Sequence, residues 1–273
     1  MTTSTDNNDN NNELNLLNYN RYSFPCSSRE EWSSVRHATA YLDIVDAVPH
    51  RTEGEAVLLE HIPTNAKRVL DLGTGNGRLL KMIKANRPNI EGVGLDISPT
   101  MLRVAQESFA ADNNVKVIEH DLNNSLLLLL SELGTFDVIV TSLTIHHLTH
   151  KRKHSIYEEI FSLLNRGGVF CNLEHVDAPT SNLHEHFLNS IGDRIARFAR
   201  DENSDRLLSL DTQLGWLRQI GFVDVDCYWK WLELALIIGI KPYERNRNSL
   251  GPLFCSIAVG AFKRSIIQKS PYW

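Results

Sequence analysis

Three glycines spaced two apart, Gly73, Gly75 and Gly77, follow Asp71 and the apolar run Arg68-Val69-Leu70-Asp71-Leu72. Glycines in this pattern let a chain turn tightly out of a strand and bring its backbone N–H groups up to a ligand at a helix N-terminus. Asp96 closes the next apolar run about 20 residues further on, where a carboxylate can accept both hydroxyls of a ribose. Asp121 closes a third, where a further polar group can meet a base. Dinucleotide sites use G-x-G-x-x-G, with a pyrophosphate on the helix N-terminus. Here the pattern is G-x-G-x-G with an aspartate two residues ahead, which repels a pyrophosphate and attracts a cation. The residues therefore favour a ligand with a nucleoside and a positive centre over NAD.

These groups need a scaffold that brings strand ends to one edge. Apolar periodicity predicts helices over Arg29–Val48 and Thr52–Ile62, then strands and helices in alternation from Pro63. Strands are expected at 68–72, Gly92–Asp96, Val115–His120, Phe136–Thr141 and Val169–Leu173. Helices are expected at Arg78–Ala85, Pro99–Ala111, Leu126–Leu133 and Lys151–Leu164. Five short strands alternating with helices indicate a doubly wound, mostly parallel α/β sheet, with its ligand crevice at the carboxyl ends of the strands. A helical stretch, Ala178–Arg206, interrupts the rhythm as a cap insertion, and a helix at Thr212–Ile220 follows. Late strands at Phe222–Trp229 and Phe254–Phe262 bring the count to seven, the last two forming an antiparallel hairpin at the sheet edge.

At this point Val69–Leu80, Gly92–Leu102, Val115–Leu122 and Phe136–Leu148 together resemble the successive cofactor motifs of class I S-adenosylmethionine-dependent methyltransferases. The likeness runs over roughly residues 66–175. It implies S-adenosyl-L-methionine as cofactor, with Gly73, Thr74, Gly75 and Gly77 under the methionine part and Asp71 near the sulfonium side. It further implies that Asp96 holds the ribose, that Ile97 packs on the adenine, and that Asp121 and Leu122 address its edge. Thr141, Ser142 and Leu143 would line the methyl-transfer site. In similar enzymes N-terminal helices close over the cofactor; Arg51 would then pair with the methionine carboxylate, while Trp32 and Tyr41 pack either beside the cationic sulfur or in the core.

Methyl transfer from a sulfonium is an in-line displacement in which orientation does most of the work, so a base is optional. The candidate bases are His146 and His147 beyond the fourth strand and Glu174 and His175 beyond the fifth. His147, His150 and His154 share a helical face, but Lys151, Arg152 and Lys153 are interleaved and oppose a cation. A solvated, basic helix start is expected there, and no metal. The fourth-strand sequence Thr141-Ser142-Leu143-Thr144 lacks the Asn/Asp-Pro-Pro-aromatic motif of enzymes acting on amino groups of nucleic acid and protein. The expected acceptor is an O or N, less readily a C, of a small molecule. Two alternatives stand beside it: a tRNA- or protein-modifying methyltransferase, and a non-catalytic S-adenosylmethionine-binding partner or sensor.

The bulk properties agree. A chain of 273 residues with 42 % hydrophobic and 22 % charged residues is neither disordered throughout nor fibrous. Its net charge of −5 disfavours nucleic acid as a partner. Residues 1–20 contain eight Asn and are expected to form a disordered tail over 1–22. The remaining divisions are a helical lid over 23–62, the methyltransferase domain over 63–263 with its cap at 178–206, and a tail over 264–273. The apolar runs Leu126–Leu130 and Leu234–Ile240 are too short to span a membrane. No apolar stretch follows the first methionine as a secretory signal would need, and Cys26, Cys171, Cys227 and Cys255 show no zinc-site spacing. A cytoplasmic location follows as the expectation; the oligomeric state is left open.

Overall fold

The computed structural model describes residues 28–193, 195–196 and 206–243. The Asn-rich stretch, the tail over 264–273, the strand expected at Phe254–Phe262, part of the cap, Cys26 and Cys255 lie outside the described residues. Cys171 is buried and Cys227 half-buried, both as free thiols.

Seven strands form one sheet in the order β3-β2-β1-β4-β5-β7-β6. They are β1 (Arg68–Leu72), β2 (Glu91–Asp96), β3 (Val115–Glu119), β4 (Phe136–Ser142), β5 (Leu164–His175), β6 (Val223–Trp231) and β7 (Leu234–Ile240). The first five run parallel, and β7 lies antiparallel to both β5 and β6. The strand order reverses at β1, between β2 and β4, and a crevice opens at such a reversal in doubly wound sheets.

Side chains alternate between the two faces of the sheet, so each strand feeds two cores. On one face Leu70, Leu72, Ile139, Phe170 and Ile237 pack against Ile156, Tyr157 and Ile160 of α7 (His150–Leu163) and Leu214 and Leu217 of α9 (Leu210–Ile220). On the other, Val69, Val138, Val140, Cys171 and Leu236 pack against Leu58 of α3 (Arg51–Glu60) and Leu79, Leu80 and Ile83 of α4 (Arg78–Asn86). Helix α5 (Pro99–Ser108) opens with proline, whose missing N–H costs nothing in the first helical turn.

The structure corrects the sequence expectations in four places. The helix expected over Arg29–Val48 is broken into α1 (Ser28–Ser33), α2 (Val35–Leu42) and a 3-10 turn (Val45–Ala47). Ser34 takes an extended conformation and its hydroxyl accepts from the His37 N–H, capping α2 and ending α1. Leu126–Leu129 is a 3-10 turn, leaving only the short α6 (Leu130–Leu133) as α-helix. The second strand of the terminal hairpin is β7 rather than Phe254–Phe262, and a two-residue turn at Leu232 and Glu233 joins it to β6. A run of consecutive apolar residues suits a strand covered on both faces, and β7 accordingly sits inside the sheet with β6 at the edge. Finally, the basic start of α7 is not solvated: Lys153 is 1 % exposed and Arg152 is held by Glu159 at 2.6 Å, leaving only Lys151 of the three turned to solvent.

Of the cap, the described residues show α8 (Ser181–Ser190), capped by the Thr180 hydroxyl. Its Phe187 and Leu188, with Ile191, pack on Leu234, Trp231 and Leu143.

Candidate active site

All three glycines of the turn after β1 have positive φ, but their surroundings differ. A Cβ at Gly73 would lie 2.2 Å from the Thr144 side chain, and one at Gly77 would lie 2.6 Å from Phe109. At Gly75 a Cβ would meet nothing within 4 Å. Gly73 and Gly77 are thus held by close packing, whereas Gly75 faces open space.

That space is a cleft at the carboxyl ends of β1, β2 and β4. Of the residues named from sequence, Arg51, Asp71, Gly73, Thr74, Gly75, Asp96, Ile97, Asp121, Leu122, Ser142 and His147 border it. Gly77, Thr141, His146 and Glu174 do not line it. Gly77 caps α4, and Thr141 is fully buried with its hydroxyl donating to Leu72 O at 2.8 Å.

The carboxylates are tied into the turn itself. Asp71 accepts from the Thr74 hydroxyl at 2.7 Å, and burial pushes its pKa up to about 7. Asp96 accepts from the Gly75 N–H and the Ser98 N–H, each at 2.8 Å; burial raises its pKa and these two donors oppose the rise. Each carboxylate oxygen can accept more than one bond, so Asp96 keeps capacity for ribose hydroxyls. Asp121 accepts from Asn123 N at 2.9 Å.

The wall on the N-terminal side comes from Trp32, Tyr41, Val45 and Arg51. Arg51 Nε donates to the fully buried Glu55 at 2.8 Å, and its Nη1 donates to Tyr41 Oη and Val45 O, both at 3.4 Å. Glu55 is shared with Arg78, which donates to it through Nε at 2.9 Å and Nη2 at 2.8 Å. Sequence reasoning missed Glu55 and Arg78, although the four-residue step from Arg51 to Glu55 on one helix was the available signal. It also missed Met101, His120 and Thr144, which border the cleft without any motif spacing to mark them.

A further wall comes from Leu143, Thr144, His147 and Leu148; His147 ends the 3-10 turn Ile145–His147, and Leu143 before it has φ 51°, a strained conformation for a non-glycine residue. His147 faces the cleft and stands edge-on to Trp32, with ring centroids 5.2 Å apart. His146 lies behind it, ring centroids 3.9 Å apart, with its Nδ1 at 2.6 Å from Glu174 Oε1. Glu174 is fully buried; burial raises its pKa to about 7 against the pull of the His175 N–H and the Lys153 charge. Behind the turn, Lys153 Nζ donates to His146 O at 2.9 Å, to Leu148 O at 2.8 Å and to Arg206 O.

The cleft suits S-adenosylmethionine on several counts. Gly75 leaves a cradle that a side chain would fill. Buried polar atoms of cleft-lining residues, Trp32 Nε1, His120 Nε2 and Ser142 Oγ, lack a protein partner among the described residues. Ile97, Met101, Leu122 and Leu148 give apolar walls for a base. Among the described residues no group of three or more His, Cys, Asp or Glu is placed to hold a metal, and no helix is long and apolar enough to cross a membrane.

Sheet order, glycine turn and cleft define a Rossmann-like α/β protein with a crevice at the carboxyl ends of its strands. Residues 69–168 match the family described as a methyltransferase domain. A carboxy-S-adenosyl-L-methionine synthase from Staphylococcus epidermidis is 27 % identical over 186 residues, 63 % of this chain and 78 % of that protein. One from Actinobacillus succinogenes is 24 % identical over 76 % of this chain and 87 % of its own length. A demethylmenaquinone methyltransferase from Thermus thermophilus is 32 % identical over 41 % of this chain and 49 % of its own. Among solved structures, an O-methyltransferase family protein from Burkholderia thailandensis shares the fold, with a TM-score of 0.61 at 18 % identity. That likeness covers 77 % of this chain and spans 61 % of the solved protein. Over residues 69–168 the chain thus carries a methyltransferase domain of the S-adenosylmethionine-dependent kind, and S-adenosylmethionine is its cofactor.

Proposed function

We propose that the protein transfers a methyl group to an oxygen or nitrogen of a small-molecule acceptor, with His147 as the base that takes the acceptor's proton. Bound S-adenosylmethionine supplies a methyl group activated by its sulfonium. The chain holds the acceptor in line with that methyl, excludes water with Trp32, Tyr41 and Leu143, and takes up the proton at the His147 imidazole. One observation carries the reading: of His146, His147 and Glu174, only His147 borders the cleft. The pair His146–Glu174 stands directly behind it and fixes the ring's surroundings.

A small acceptor fits better than a nucleic acid because the cationic run at Lys151–Lys153 is spent internally, two of its three charges being held by buried partners. Asp71, Asp96 and Asp121 at the crevice would also oppose a phosphate backbone.

The test is a mass-spectrometric screen of small-molecule extracts incubated with protein and S-adenosylmethionine. A product heavier by one CH₂ equivalent is expected, with His147→Ala lowering its formation by about tenfold or more. Transfer only to tRNA or protein would overturn the small-acceptor reading, and no transfer to any acceptor would return the chain to the non-catalytic alternative.

The likeness to carboxy-S-adenosyl-L-methionine synthases supports a second reading, in which the cofactor itself is the molecule modified. It needs a cation for the added carboxylate, and the cleft's Arg51 and Arg78 are already held by Glu55 and Asp46. The same screen separates the two, since this reading predicts a carboxylated sulfonium and no methylated acceptor.

A further inference from the structure

Lys153 has no place in the reaction as described, yet it is 1 % exposed, and a buried ammonium is costly unless its surroundings use it. Its Nζ donates to carbonyls on both sides of His147, His146 O at 2.9 Å and Leu148 O at 2.8 Å. A third bond goes to Arg206 O, in the chain returning from the cap, and the Arg206 N–H itself donates to His146 O at 2.8 Å. The ammonium thus gathers the histidine turn and the cap's return segment around one point. We propose that Lys153 is a positioning residue for the reaction: it fixes the turn that carries His146 and His147, and its charge governs how tightly the His146–Glu174 pair holds a proton.

This rests on the reading of His147 as base. The electrostatics follow from the groups that surround the pair. Glu174 on β5 faces His146 and His147 on the turn, His175 on its own strand, and Tyr157 and Lys153 on α7. Lys153 is the aliphatic cation of this set, and its charge opposes the effect of burial on Glu174. Without it, a proton on the pair would meet less repulsion. The midpoint of the His146–Glu174 pair would therefore rise.

The experiment is NMR of protein labelled with 15N-histidine, following the imidazole nitrogens against pH in the wild type, Lys153→Met and Lys153→Arg. In Lys153→Met the His146 midpoint is expected to rise by about one pH unit, while Lys153→Arg, which keeps the charge, stays within a few tenths. A folded Lys153→Met with an unmoved midpoint overturns the proposal. Should that variant not fold, Lys153→Gln, which keeps a donor and loses the charge, takes its place under the same criterion. The unaltered protein gives an independent reading: a caged ammonium exchanges its protons slowly enough to be seen by 15N-lysine NMR at neutral pH, and a Lys153 signal lost to solvent exchange also overturns the proposal. None of these measurements requires turnover. Failure of His147 as base would appear only in methyl transfer, so either idea can fail alone.

Discussion

The Glu55 carboxylate, fully buried, accepts from Arg51 Nε at 2.8 Å, and the same carboxylate takes three further bonds from Arg78. One anion thereby locks the start of α3 to the start of α4, just after the glycine turn. Removing a single partner from a buried ion pair leaves an uncompensated charge and costs about 3–5 kcal/mol. Glu55→Ala should therefore unfold at clearly lower urea concentration than wild type. A midpoint within error of wild type would show that the two arginines find other partners.

The place of Asp71 at the cleft predicts that cofactor binding depends on pH. Its pKa is pushed up from 3.8 to about 7, chiefly by burial, so the unliganded protein holds a proton there below neutrality. A folded-state pKa above the unfolded one means that stability from this group falls as pH rises from about 4 to 7. Binding has the opposite sign. A cationic ligand favours the carboxylate, so calorimetry with S-adenosylhomocysteine, which carries an ammonium, should show affinity rising up to about pH 7 and levelling above it. Asp71→Asn should flatten that profile, and an unchanged slope would assign it to another group.

Gly73 and Gly75 separate folding from binding. Either alanine substitution places an L-residue at positive φ, a cost of about 1–2 kcal/mol. Gly73→Ala adds a clash with Thr144 and should lower thermal stability markedly. Gly75→Ala meets no protein atom, so its melting temperature should fall only slightly while stabilisation by S-adenosylhomocysteine is largely lost. Equal behaviour of the two variants in both measurements would refute the distinction.

Asp96→Ala should abolish most of the thermal shift given by S-adenosylhomocysteine, since a charge-assisted hydrogen bond is worth about 1.5–3 kcal/mol. Because Asp96 also holds Gly75 N and Ser98 N, the unliganded variant should melt somewhat earlier. A full ligand-induced shift in the variant would remove Asp96 from the binding site.

The parallel strands were legible because each holds a short apolar run, ended in all but β4 by a charged or glycine residue, and β1, with Asp71 and the glycines after it, carries the strongest such signal. The candidate cleft was legible for the same reason, its polar residues sitting at strand ends where periodicity breaks. Lys153 was not. In the sequence it is one of three consecutive cations at a helix start, and only the return of residues 206–208 over α7 buries it. Choosing between His146 and His147 likewise depended on how one 3-10 turn is rotated against the cleft, which residue type does not specify. The hairpin partner was misassigned because β7, apolar at almost every position, gives no alternation by which to recognise a strand.

The position of β7 also carries a consequence for synthesis of the chain. Strand β5 is complete at His175, but its free edge stays uncovered until Leu234–Ile240 has been made, after the cap, α9 and β6. For that interval the nascent protein displays an unpaired, strongly apolar strand edge, the kind of template on which chains join one another. Fragments ending before residue 234 should be the aggregation-prone ones, so β7 acts as the closing seam of the sheet as well as one of its strands.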